Sequence, residues 1–119
     1  PRHMGTMSDA DGFARVTGPC GDTMEVWMKI KNNTVIAINF MTDGCSTSIA
    51  SGSMMAELAK GKSIGDATRI NQQKILSELE GLPEESEHCA LLAENTLKAA
   101  IRDYIMMKKE PWKKAYRKY

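Results

Sequence analysis

The run Met24-Glu25-Val26-Trp27-Met28-Lys29-Ile30 alternates without a break, and it limits the possible folds more than any other stretch of the chain. Met24, Val26, Met28 and Ile30 fall on one face of a strand, because a period of two separates a buried side from a solvated one. Asn32-Asn33 supplies the residues of a tight turn. Thr34 to Met41 is β-branched and apolar enough to run back as a second strand, with a break expected near Ala37. A tight hairpin sets the residue before its first strand beside the residue after its second, so Asp22 and Asp43-Gly44 are expected at one edge. Trp27 points away from the Met24–Ile30 row, toward an exposed sheet face or a subunit contact.

The second half reads as helices. From Ser46 to about Lys60, Ile49, Ala50, Ser53, Met54, Ala56 and Leu58 suit a helix packed closely on the sheet, with Gly61 as its stop. Ser63 caps a short helix to about Thr68, and Asn71 caps another running to Glu80 that Gly81 ends. Leu82-Pro83 is a break. A long helix runs from about Glu84 or Glu85 to about Lys109, with acidic residues in its first turn, and Pro111 closes it. Residues 8 to 19 are polar and contain Gly and Pro, and read as a mobile lead-in. The expected fold class is α+β, a small antiparallel β-sheet of two to three strands packed on one face by helices. This single domain spans residues 8–110. Residues 1–7, His3 included, read as an expression-tag remnant, and residues 111–119 as a basic C-terminal tail.

The net charge of +1, with 26% charged residues, points to no polyanionic partner, and nucleic-acid binding through Lys113, Lys114, Arg117 and Lys118 is a minor alternative. No run of about 18 apolar residues is present, so no membrane span is expected. No export signal is evident, which indicates a cytoplasmic protein with reduced thiols. Three cysteines, an odd number, argue against a closed disulfide framework. Met24, Met28, Met54, Met55, Met106 and Met107 sit at strand and helix spacing and read as adaptable filler rather than copper ligands.

The residues that carry chemistry are Cys20, Asp22, Cys45 and Cys89, with His88 in reserve. Cys45 stands where a strand meets a helix, and the unpaired first amides and macrodipole there favour a thiolate. Ser46 is placed to cap, and Gly44 to turn the backbone tightly. Cys20 and Asp22 are two apart, so extended backbone projects both to one side. His88 and Cys89 open the long helix in neighbouring sectors. Leu92, Thr96, Ala99 and Ala100 continue the Cys89 face, and Leu91 and Asn95 the His88 face. No Cys-x-x-Cys knuckle is present, so spacing gives a structural zinc finger little support. Thiolates select iron–sulfur clusters, zinc or copper(I), and a carboxylate is a poorer partner in so soft a set. Such a mixture suits a cluster meant to leave.

Cys20-Gly21-Asp22, Asp43-Gly44-Cys45-Ser46-Thr47-Ser48-Ile49-Ala50-Ser51 and His88-Cys89-Ala90-Leu91-Leu92-Ala93-Glu94 resemble, in order and spacing, the three signature segments of the IscU/NifU-type iron–sulfur cluster scaffolds. The resemblance covers about residues 15 to 106. It implies a SufE/IscU-like fold and a non-enzymatic assembly platform. A cysteine desulfurase delivers persulfide sulfur, iron binds, and a [2Fe–2S] cluster forms and passes to acceptor apoproteins. Zinc often fills the site in isolated preparations. On matching positions, Cys20, Cys45 and Cys89 are ligands, and Cys89 is the sulfur acceptor. Asp22 keeps the cluster labile, and His88 is an alternative ligand or proton handler. Many members carry Leu-Pro-Pro-Val-Lys before the His-Cys pair. Here Leu82-Pro83 is followed by Glu84-Glu85-Ser86-Glu87, which leaves an Hsp70-type chaperone an open partner. A homodimer is equally open. The alternative is a zinc-dependent sulfurtransferase of the SufU type. That branch carries an insertion between its second and third cysteines and lacks the histidine, whereas this chain has His88 and no evident insertion.

Overall fold

The alternating run becomes the central strand of a three-stranded antiparallel sheet. The computed structural model describes residues 3–19, 21–80 and 87–112. It orders β1 (Gly12–Thr17), β2 (Thr23–Lys31) and β3 (Thr34–Thr42) in sequence across the sheet. Asn32 and Asn33 take φ of 52° and 61°, the left-handed pair that a two-residue hairpin loop with matching twist requires. Lys29 pairs with Ala37 but Ile30 with Val35. Ile36 is therefore an extra residue, a β-bulge at the place where the sequence predicts a break. Met24, Val26 and Met28 are fully buried, as the alternation requires.

Several expectations are corrected. The segment read as a mobile lead-in contains β1, registered on β2 from Gly12↔Met28 to Thr17↔Thr23. On its inward face Val16 is only partly buried, and the fully inward residues, Gly12 and Ala14, are too small to give a hydrophobic signal. Small size is needed there, because a Cβ on Gly12 would lie 2.7 Å from the Ala100 carbonyl oxygen. Trp27 is not on an exposed face: it is 2% exposed, with its ring centroid 5.3 Å from that of Phe13. The opening segment runs over the same face. Phe40 N donates to His3 O (2.7 Å) and Gly5 N to Phe40 O (3.1 Å) at the β3 edge. The chain then crosses the outer face, held by Asn39 Nδ2 to Thr6 O (3.4 Å) and Lys29 Nζ to Asp9 Oδ2 (2.9 Å).

The helices lie on the other face: α1 (Ser46–Ala59), α2 (Ile64–Ala67), α3 (Gln72–Leu79) and α4 (Glu87–Lys109). The predicted caps form, with Ser63 Oγ accepting from Asp66 N (3.1 Å) and Asn71 Oδ1 from Lys74 N (2.9 Å). Of the predicted set on α1, Ala56 alone is fully buried. The buried side is Ser48, Ser51, Gly52, Met55, Ala56 and Ala59, while Ile49, Met54 and Leu58 pack at the rim of the core. The smallest residues face the sheet because they let the helix approach it most closely. Gln72 ties α3 to α4, its N donating to Glu94 Oε1 (2.7 Å) and its Nε2 to Glu87 O (2.9 Å). That clamp holds the turn bearing His88 and Cys89. Gly81, the Leu82-Pro83 break, the expected helix start at Glu84 or Glu85, and tail residues 113–119 lie outside the described residues.

Candidate metal centre

The hairpin's open end builds one wall of the site. Thr23 N donates to Asp43 Oδ1 (2.8 Å), Thr42 Oγ1 to Thr23 O (2.8 Å), and Gly44 N to Thr42 Oγ1 (3.1 Å). Gly18 N donates to Asp22 O at 2.8 Å. Asp22 and Asp43-Gly44 thus share an edge, as a tight hairpin demands. Cys20 lies outside the described residues.

Cys45 itself, rather than Ser46, is the N-cap residue of α1, and no side-chain capping bond closes there. Its sulfur is exposed, and the Ser48 and Thr47 amides draw its thiol down from 9.0 to about 7. The helix start therefore activates this cysteine by local amide dipoles. Gly44 has a purpose other than the predicted turning freedom. A Cβ there would lie 2.4 Å from Ser48 Oγ and 3.0 Å from Asp22 Oδ2.

The first turn of α4 supplies the opposite wall. Cys89 is buried at 2% exposure, and that burial raises its thiol pKa, reinforced by the nearby charges of Cys45 and Asp22 and opposed by the Ser48 hydroxyl. Cys89 Sγ lies 3.5 Å from His88 Nε2 and 3.4 Å from Ser48 Oγ. Ser48 Oγ is in turn 3.2 Å from Asp22 Oδ2. One ligand atom each from Asp22, His88 and Cys89 falls within 4.8 Å of the others. Cys45 is outside that trio but close enough for its charge to act on Cys89. The helical faces read from the sequence hold except at Ala99: Leu92, Thr96 and Ala100 are buried with Cys89, Ala99 is only partly buried, and Leu91 and Asn95 line an apolar cleft with His88. Sequence reasoning missed Ser48. Its place three residues after Cys45, one helical turn on, was the available signal.

Imidazole, thiolate and carboxylate together fit iron or zinc. Met24, Met28 and Met55 are fully buried core, not donors. An α+β domain that gathers thiols, a carboxylate and an imidazole at one end of its sheet has the donor set of a small metal-binding protein. The family model of the NifU-like N terminal domain matches residues 1–111, and the chain belongs to that family. It is 44% identical over 105 residues to the iron-sulfur cluster assembly scaffold protein IscU 1 of Archaeoglobus fulgidus, covering 87% of this chain and 69% of that one. It is 42% identical over 109 residues to the scaffold protein IscU of Haemophilus influenzae, covering 87% and 86%. The crystal structure of a NifU-like N-terminal protein from Brucella abortus shares the fold, with TM-score 0.68, 22% identity, and coverage of 88% and 86%. Among the described residues no helix is long and apolar enough to cross a membrane.

Proposed function

We propose that this chain is a scaffold on which a transient [2Fe–2S] cluster is assembled from iron and desulfurase-delivered sulfur, then passed to acceptor apoproteins. The observation that carries the reading is the meeting of Asp22, His88 and Cys89 within 4.8 Å, beside a Cys45 already acidic at its helix start. The cluster is cargo. Cys20, Cys45 and Cys89 are its soft ligands, Asp22 the hard one, and His88 a substitute ligand. As sulfur acceptor, Cys89 attacks the outer sulfur of the desulfurase persulfide and forms a new S–S bond, and the desulfurase cysteine leaves as thiolate. Cys89 is protonated and buried at rest, so it needs a base, and His88 Nε2 at 3.5 Å is placed to take the proton. The persulfide becomes sulfide only when a reductant supplies two electrons, which cleave that bond and return Cys89 as thiolate.

Anaerobic incubation with ferrous iron, cysteine, a desulfurase and a thiol reductant is the test. The expected product is red-brown, with iron and acid-labile sulfide in equal amounts; a colourless product refutes the scaffold reading. Because Asp22 is the hard ligand in a soft set, Asp22→Ala slows cluster loss to an apo-ferredoxin by roughly tenfold, the scale of ligand-shell changes. Unchanged or faster loss removes that role from Asp22.

A further inference from the structure

We propose that Ser48 is the positioning residue of this centre, its hydroxyl holding the Asp22 carboxylate against Cys89 so that the two donors face one metal ion. This rests on the metal-binding reading above and adds a residue to it. Ser48 is fully buried, and its Oγ stands 3.2 Å from Asp22 Oδ2 and 3.4 Å from Cys89 Sγ. A buried hydroxyl on the sheet-facing side of a helix has a desolvation cost that a hydrogen bond to either acceptor offsets, its single proton going to one of them at a time. The donors differ in their need of support. Cys89 is fixed by burial in the first turns of α4. Asp22 follows Gly21, whose φ is +88°, on a half-exposed loop end. Among the described residues, Ser48 makes the one hydrogen bond that reaches the Asp22 carboxylate.

The backbone is cut to fit this contact. Any side chain at Gly44 would intrude on Ser48 Oγ at 2.4 Å and on Asp22 Oδ2 at 3.0 Å. The glycine therefore leaves open the space through which the hydroxyl and the carboxylate meet. Partners of this kind, behind the ligands of a metal, typically change affinity by about 10- to 100-fold when removed.

The test is a double-mutant cycle read by Zn²⁺ alone, in anaerobic competition with a chromophoric chelator. Ser48→Ala weakens Zn²⁺ binding by about tenfold in the wild-type background. In the Asp22→Ala background the same change costs no more than about twofold, the limit of additive error. Ser48→Thr, which keeps the hydroxyl, stays closer to wild type than Ser48→Ala. Thermal melts of the metal-free proteins report folding separately, and alanine suits a helix at least as well as serine. Equal losses in both backgrounds, or no loss in the first, overturn the assignment. A wild-type protein that binds Zn²⁺ but builds no cluster refutes the scaffold reading and leaves this one standing.

Discussion

In the metal-free protein at pH 7, iodoacetamide labels Cys45 several times faster than Cys89. Only the thiolate reacts. With a pKa of about 7, Cys45 is half ionised at that pH. Burial pushes the Cys89 thiol up, so much less of it is thiolate at that pH. Ionisation favours Cys45, the lower nucleophilicity of a more acidic thiolate offsets part of that gain, and burial of the Cys89 sulfur widens the ratio again. The Cys45 rate rises through pH 7 and levels off by about two units above it. The Cys89 rate is still climbing there, because a raised pKa moves its thiolate to higher pH. Peptide mapping by mass spectrometry resolves the sites, and a Cys20→Ser background removes the third thiol from the reading. The Ser48 and Thr47 amides act at contact range, so added salt changes the Cys45 midpoint little, whereas an effect of distant charges would fade. If both thiols titrate together above pH 8.5, the amides at the start of α1 do not activate Cys45.

How much of this was legible depended on side-chain size. Met24, Val26 and Met28 alternate with Glu25 and Lys29, so β2 and its inward face declared themselves, and Asn32-Asn33 marked the turn. The edge meeting of Asp22 with Asp43-Gly44 followed from hairpin geometry alone. Gly12 and Ala14 gave no such signal, because what qualifies them to pack against α4 is their lack of bulk. The same limit hid the buried side of α1. Ile49, Met54 and Leu58 carry more apolar surface than Ser48, Ser51 and Gly52, yet the smaller set faces inward since it permits closer approach. Trp27 was misplaced for another reason: the opening segment that crosses its face of the sheet carries no periodicity and reads as a tag remnant and a mobile lead-in. At the site, residue type and spacing identified Asp22, Cys45, His88 and Cys89 as candidates. Which of them meet through Ser48 is a tertiary fact, set by where α1 and α4 cross the sheet end.

Gly52→Val destabilises the protein by about 3 kcal/mol, the upper end for overpacking a core, which lowers the melting temperature by about 10 °C in a chain of this size. A Cβ at Gly52 would lie 2.5 Å from Cε2 and 2.6 Å from Cδ2 of Phe40, whereas Met24 Cε, at 3.2 Å, can swing aside. The Phe40 ring has no such freedom, being fully buried in the core beneath α1. Gly52→Ala gives the sharper test of sign. In an exposed helix interior that change gains about 1 kcal/mol from helix propensity. Here the methyl meets the ring, and a net loss of about 1 kcal/mol is expected. Gly65 is the control: it lies in α2, and a methyl group there would meet nothing within 4 Å, so Gly65→Ala is neutral or slightly stabilising. The site feels the same contact. Cys45 and Ser48 lie on the turns of α1 preceding Gly52, so a helix pushed off the Phe40 ring carries both away from Asp22 and Cys89. Gly52→Ala therefore weakens Zn²⁺ binding while leaving every ligand in place. A Gly52→Ala protein as stable as wild type, binding Zn²⁺ equally well, shows that α1 does not need its close seat on the sheet to assemble the centre.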